Sequence, residues 1–171
     1  MISTFRGITR TLGRDNFSIG HKNMSEDILG MDLSSGIAAF EAKEFARAAS
    51  LLGPLSEDGH PEAAYRMAIM CQNGLGMAVN ETRALACMKS AAEQDMAIAQ
   101  HGLGFMYMEG ECVEKSAQDA LNWFGKAAAQ GLQGSMTTMA MMYEQGNGVD
   151  KDPEKAKALY KKAGFDNVPM S

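Results

Sequence analysis

The sequence predicts an all-α fold, an α/α solenoid superhelix of about four helix pairs, or eight helices. Three observations in the 171 residues carry that prediction. One stretch is written three times at a shift of 36 residues, the middle copy running from Asp95 to Gly131. Particular columns then repeat: Gly74, Gly110 and Gly146; Ala84, Ala120 and Ala156; Met67, Leu103 and Met139; Met88, Phe124 and Tyr160. Finally, small residues recur beside the large ones, at Ala68, Gly104 and Ala140 and at Ala91, Ala127 and Ala163, so that helices can approach closely. A period of this length marks units that bury their apolar faces only by stacking on one another.

Residues 1–31 stand outside the repeat. The first fourteen hold no acid and three arginines spaced by four, Arg6, Arg10 and Arg14. On a helix Ile2, Phe5, Thr9 and Leu12 would lie opposite them, the pattern of an amphipathic targeting or docking segment. Gly7, Gly13 and Gly20 weaken such a helix. A flexible tail, or a working start at Met24, is the plainer alternative.

The helical pattern begins at about Asp32. Residues 32–59 read as two helices around a tight turn near Lys43 and Glu44, with Phe45, Ala48, Ala49, Leu52 and Leu55 at spacings of three and four. Ala48 aligns with Ala84, Leu52 with Met88, and Gly59 with Asp95 and Gly131, which makes this a divergent capping unit.

Units 60–95, 96–131 and 132–165 parse alike. In the first, a helix runs from about Glu62 to Gln72, with Pro61 at a first helical position that accepts proline. A loop with glycines follows at 74–76, 110–112 and 146–148, where positive φ lets the chain leave the helix. Met77, Val113 and Val149 tuck the loop back, and Asn80, Ser116 and Asp152 are N-cap types that start the second helix. In the third unit Lys157 replaces Leu85 and Leu121, and Lys155, Lys161 and Lys162 share its helix. A charged outer face suits the end of an array, with 166–171 as a short tail.

These residues resemble the Sel-one-like repeat (SLR), an α/α relative of the tetratricopeptide repeat. The middle copy supplies Ala99, Leu103-Gly104, Tyr107, Gly110, Val113, Ala120, Trp123, Ala127-Ala128 and Gly131. The third supplies Tyr143, Gly146, Gly148-Val149, Asp152, Ala156 and Ala163, while the first carries Cys71 for the tyrosine and Asn80 for the aspartate. The resemblance covers residues 60–165 strongly and 33–59 weakly. It implies a right-handed superhelix and a scaffold or adaptor role, with the motif residues structural and no particular partner specified.

Composition narrows the function. Residues 1–23 carry a net +3, which leaves −8 for the remainder against a formal −5 for the whole chain. An acidic body argues against nucleic acid, whose phosphates need a basic face. Cys71, Cys87 and Cys112 show neither CxxC spacing nor a His pair, so no zinc site is expected and the count suits a reducing compartment. Secreted members of the resembled family can carry regularly spaced bridged cysteines. Cys71 and Cys87 instead share columns with Tyr107 and Trp123 and read as core fillers. No run approaches the roughly 20 apolar residues of a membrane helix, and no secretory signal core is present, so a cytoplasmic location is expected, with organelle targeting by residues 1–23 as the alternative.

The candidate site is the side of the first helices turned away from the core. Ile69, Phe105 and Met141 form an apolar column there, with Tyr65, His101, Thr137 and Met108 beside it. In stacked α/α repeats the first helices line the concave face, and such a stripe suits an amphipathic helix or extended peptide. The alternative is that the column packs between adjacent units. The fifteen methionines raise copper(I) chemistry, but Met70, Met106 and Met142 are one repeated core position and Met88 aligns with Phe124. Glu109, Glu111 and Glu114 surround one loop whose other copies lack most of them, which reads as a solvated loop. His21, His60 and His101 have no motif partners, and neither a phosphate loop nor a nucleophile motif appears. The expected protein is a non-enzymatic scaffold that binds a protein or peptide, without cofactor or metal, as a monomer or weak homo-oligomer. Its alternatives are an accessory or assembly factor docked through the basic N-terminal segment, or the regulatory subunit of an enzyme.

Overall fold

A computed structural model describes residues 17–165, with side chains from Leu29 onward. The expectations for residues 1–16 and 166–171 lie outside the described residues. Eight helices follow one another: α1 (Phe17–Glu41), α2 (Phe45–Glu57), α3 (Pro61–Asn73), α4 (Glu81–Glu93), α5 (Ala97–Glu109), α6 (Ala117–Ala129), α7 (Gln133–Gln145) and α8 (Pro153–Lys162). Each packs on the helix before it and the helix after it, and no strand occurs among the described residues. The chain is an all-α helical repeat solenoid.

The loops are built as the columns require. Gly74, Gly110 and Gly146 cap α3, α5 and α7 in the left-handed region, at φ 65°, 77° and 72°. Their N–H groups bond the carbonyls of Met70, Met106 and Met142, which would otherwise be left open at the helix end. A second bond closes each loop, from Asn80, Ser116 and Asp152 N–H to the carbonyls of Cys71, Tyr107 and Tyr143, all at 2.9 Å. The side chains of the same three residues then accept from the N–H of Arg83, Asp119 and Lys155, so one repeat position both ends the loop and starts the helix.

The core runs the length of the array. Ala84, Ala120 and Ala156 are fully buried, as are Leu103 and Phe124. Tyr107 packs against both the first and second apolar clusters, and Tyr143 against both the second and third, so the tyrosine column joins one unit to the next. Met77, Val113 and Val149 pack from the loops onto these clusters. Lys157 is exposed where Leu121 is buried, as the end of a stack requires.

The first helix differs from expectation. The apolar period begins at about Asp32, yet α1 begins at Phe17 and is 25 residues long, against 13 for α2. The added stretch is glycine-bearing, and polar along the stripe that packs on α2, so it gives no periodic apolar signal there. At ~1.5 Å per residue α1 overhangs α2 by about 18 Å.

Candidate functional site

Helices α3, α5 and α7 are the first helices of the three full units, and each pair of neighbours meets at a seam. Between α5 and α7 the seam is open at one place. Phe105 and Met108 of α5, with Thr138, Met141 and Gln145 of α7, line a cavity of about 180 Å³. Phe105 is 38% and Met141 41% exposed; Ile98, at the start of α5, is exposed to the same degree but does not line the cavity.

Phe105 is held rather than loose. Its ring meets Phe124 edge-on at 5.3 Å and His101 edge-on at 4.8 Å, while His101 lies 5.4 Å from Phe124. Phe124 fits because Gly104 stands opposite: a Cβ there would come within 2.6 Å of the ring. His101 also bridges the seam, its Nδ1 lying 2.8 Å from Oγ of the fully buried Ser135. Burial lowers the His101 pKa below its usual value, because desolvation disfavours the charged ring.

Three of the residues expected at a binding face, Phe105, Met108 and Met141, are therefore brought together, with His101 behind them. Tyr65 and Ile69 do not line the cavity. Both are half-buried, and Tyr65 packs on the main core, where burial raises its pKa against the opposing Arg66 charge. The apolar column is thus half-buried at Ile69 and exposed at Phe105 and Met141. Thr138, Gln145, Met142 and Asn147 complete the lining and escaped the sequence reading. Thr138 and Gln145 lie three before and four after Met141, so extending its helical face would have found them.

Chemistry elsewhere is sparse. A more polar cavity of about 390 Å³ lies beside the second loop, lined by Gln72, Asn73, Glu81, Gly110, Glu111 and Cys112. There Gln72 Nε2 donates to Glu111 Oε2 at 2.6 Å. Glu109, Glu111 and Glu114 are exposed. Among the described residues no group of three or more His, Cys, Asp or Glu side chains could hold a metal ion. Cys71 is buried, which raises its pKa, and its Sγ lies 3.5 Å from Met77 Sδ. Gln100, another residue the columns did not reveal, is 1% exposed. Its Nε2 donates to Ala92 O and Asp95 Oδ1, and its Oε1 accepts from Gln130, which ties α5 to the ends of α4 and α6.

Comparison with known proteins places this geometry. The profile of the Sel1 repeat matches residues 61–96, 97–132 and 135–164, most of the chain. The chain belongs to the Sel1 repeat family. These Sel1 repeats superimpose on a Sel1 repeat protein from Oxalobacter formigenes with a TM-score of 0.71 and 28% identity, over 80% of this chain and 54% of that one. A protective antigen of SLR fold, present in uropathogenic Escherichia coli strains, gives a TM-score of 0.75 and 27% identity over 87% and 33%. Among curated proteins, chitin synthase regulatory factor 3 of Schizosaccharomyces pombe is 29% identical over 83 residues, 48% of this chain and 9% of that protein. The chain thus spans only part of each relative's length. Sel1 repeats generally mediate protein–protein interaction, and the family is an interaction scaffold rather than an enzyme fold. Among the described residues no helix is long and apolar enough to cross a membrane.

Proposed function

We propose that this Sel1 repeat array is a non-enzymatic adaptor that binds a peptide or helix across the concave face formed by its first helices. The observation that carries the reading is the pair of exposed apolar side chains, Phe105 and Met141, lining one small cavity while Phe124 backs the aromatic ring. A cavity of about 180 Å³ is below the ~300 Å³ at which small-molecule pockets begin, and suits one large side chain of a longer ligand. A framework already ordered by its hydrogen-bonded loops loses little freedom on binding. Tyr65, Ile69 and His101 extend the same face toward the first unit.

Phe105→Glu should abolish capture of the stoichiometric partner from the native host while far-UV circular dichroism and melting stay near wild type. Partner capture indifferent to the substitution, or loss of the fold itself, removes the cavity from the binding site. A second reading, the regulatory subunit of an enzyme, draws on the similarity to chitin synthase regulatory factor 3. An enzyme activity in the captured material, altered by adding the array, separates it from the first.

A further inference from the structure

Inside the array, one side of each first helix is buried on the unit before it. Ala63, Ala99 and Ser135 share a column there and are fully buried, while Met70, Met106 and Met142 are at most 2% exposed. Helix α1 falls in the same register. Gly36 faces Leu52 as Gly104 faces Phe124, each leaving a Cβ only 2.6 Å from the side chain opposite. The matching positions on α1 are Met31 and Ala38, and both are exposed, Met31 by 68%. Ser34, Ser35 and Ala42 are exposed beside them, and Ser35, Ala38 and Ala42 help line an open cavity of about 270 Å³. Nothing among the described residues covers this face.

The overhang of α1 carries the same stripe onward. Counting back from Ala42 in steps of four and three gives Ala38, Ser35, Met31, Ile28, Met24, His21 and Phe17, a heptad seam with six of its eight positions apolar. The opposite stripe, which packs on the core through Leu33, Gly36 and Phe40, runs back into Ser25, Lys22 and Ser18. The overhang is therefore apolar on the side turned away from α2.

We propose that α1 pairs antiparallel with α1 of a second copy, centred between Leu29 and Gly30, to form a closed dimer. The inference is independent of the α5–α7 groove. In that register the overhang of each copy covers the exposed face of the other, and large positions meet small ones. Phe17 falls opposite Ala42 of the second copy, Met24 opposite Ser35 and Ile28 opposite Met31, which evens the volume along the seam. The open cavity lies where Phe17, His21 and Met24 of the second copy arrive. The two arrays stand on opposite sides of the helix pair, because each packs on the face of its α1 turned away from the seam. At ~1.5 Å per residue α1 offers about 37 Å of contact, more than three heptads.

A parallel pair fits worse. It sets Phe17 on Phe17 and Ala42 on Ala42, crowding one end of the seam and leaving voids at the other. It also sets Asp27 beside Asp32 of the second copy, whereas the antiparallel pair sets Asp27 beside Ser34 and Asp32 beside Ser25.

Sedimentation of the full chain is the test, and wild type should run as a reversible dimer. Met31→Glu alters a side chain that is exposed in the single chain, and should weaken association at least about tenfold by burying charge in the seam. Fluorescence of Trp123, which packs on the core, reports that the array stays folded. Direction is read by cross-linking with oxidised glutathione and mass spectrometry of the joined peptides. A mixture of Met24→Cys and Ser35→Cys chains should form a disulfide between the introduced thiols, and neither variant should do so by itself. A monomeric wild type overturns the proposal and leaves the face to an outside protein or to another part of the same chain. Association that Met31→Glu leaves unchanged overturns it too, as does self-linking of either cysteine variant, which a parallel pair alone allows. None of these results bears on capture of a partner through Phe105, so the adaptor reading stands or falls separately.

Discussion

The α3–α5 seam and the α5–α7 seam are built from the same columns of the repeat, and they are finished differently. In the first, Ile69 is half-buried, Gln72 donates to Glu111, and Met88 leans from α4 toward α5, its Sδ 3.0 Å from where a Cβ on Gly102 would stand. In the second, the residue aligned with Met88 is Phe124, which stays within its own unit against Gly104, Phe105 and His101. A flexible thioether fills the gap it is given. A rigid ring that meets Phe105 edge-on and His101 at a tilt backs Phe105, beside which the cavity lies. The two seams thus differ in packing at the position that Met88 and Phe124 share.

Removing that ring is the strongest way to break the contrast. Phe124 is fully buried, so Phe124→Ala should cost about 3–5 kcal/mol, read from urea unfolding, and should release Phe105 and His101 from their shared support. At the other seam, Gln72→Ala removes an exposed hydrogen bond across it and should move stability by about 0.5 kcal/mol or less. Comparable costs at the two positions would mean that the aromatic trio is not what sets the seams apart.

Most of this architecture was legible in the chain, because the repeat writes each structural demand three times. The glycine caps, the Asn80, Ser116 and Asp152 starts and the Ala84, Ala120 and Ala156 contacts are each a column, and each is found in its expected place. What occurs once was harder to read. Gln100 aligns with Ala64 and Met136, so nothing in its column announces a buried polar clamp. The start of α1 at Phe17 escaped because periodicity is read from recurring apolar residues, and along the stripe that packs on α2 the polar, glycine-bearing stretch before Asp32 carries no such recurrence. The candidate groove was half legible: the exposed column pointed to Phe105 and Met141, but only side-chain packing separates them from the half-buried Ile69.

The loops at the two seams offer a smaller contrast. Gly76, Cys112 and Gly148 share a column and all adopt positive φ, at 70°, 60° and 71°. Gly76 and Gly148 have no room for a side chain, since a Cβ would meet Phe45 backbone at 2.6 Å and Ala117 Cβ at 2.4 Å. Cys112 carries a side chain through the same left-handed turn, beside the more polar cavity. Replacing it with glycine relieves strain of roughly 1–2 kcal/mol, less the added freedom of the unfolded chain, for a net gain of up to about 1 kcal/mol. A higher melting temperature for Cys112→Gly would establish that the α3–α5 seam carries backbone strain. A lower one would show that the thiol's packing on the core outweighs it.

The smallest expected difference is in pH response. His101 belongs to the α5–α7 seam alone, and burial holds its pKa below the ordinary 6.5. Between the folded and unfolded pKa values the unfolded chain binds more protons, so stability rises with pH through that window. The contribution is complete above about pH 6.5 and is lost as the pH falls toward the folded value. His101→Gln removes the titration, and its melting temperature should fall less than that of wild type when the pH is taken from about 7.5 to about 5.5. Amide exchange should place the acid-induced loosening in α5 and α7, because the protonated ring must be accommodated between Phe105, Phe124 and Ser135. Loosening spread evenly over both seams would trace the acid response to the carboxylates of the array, and would leave His101 with only its bridging contact to Ser135 as a role.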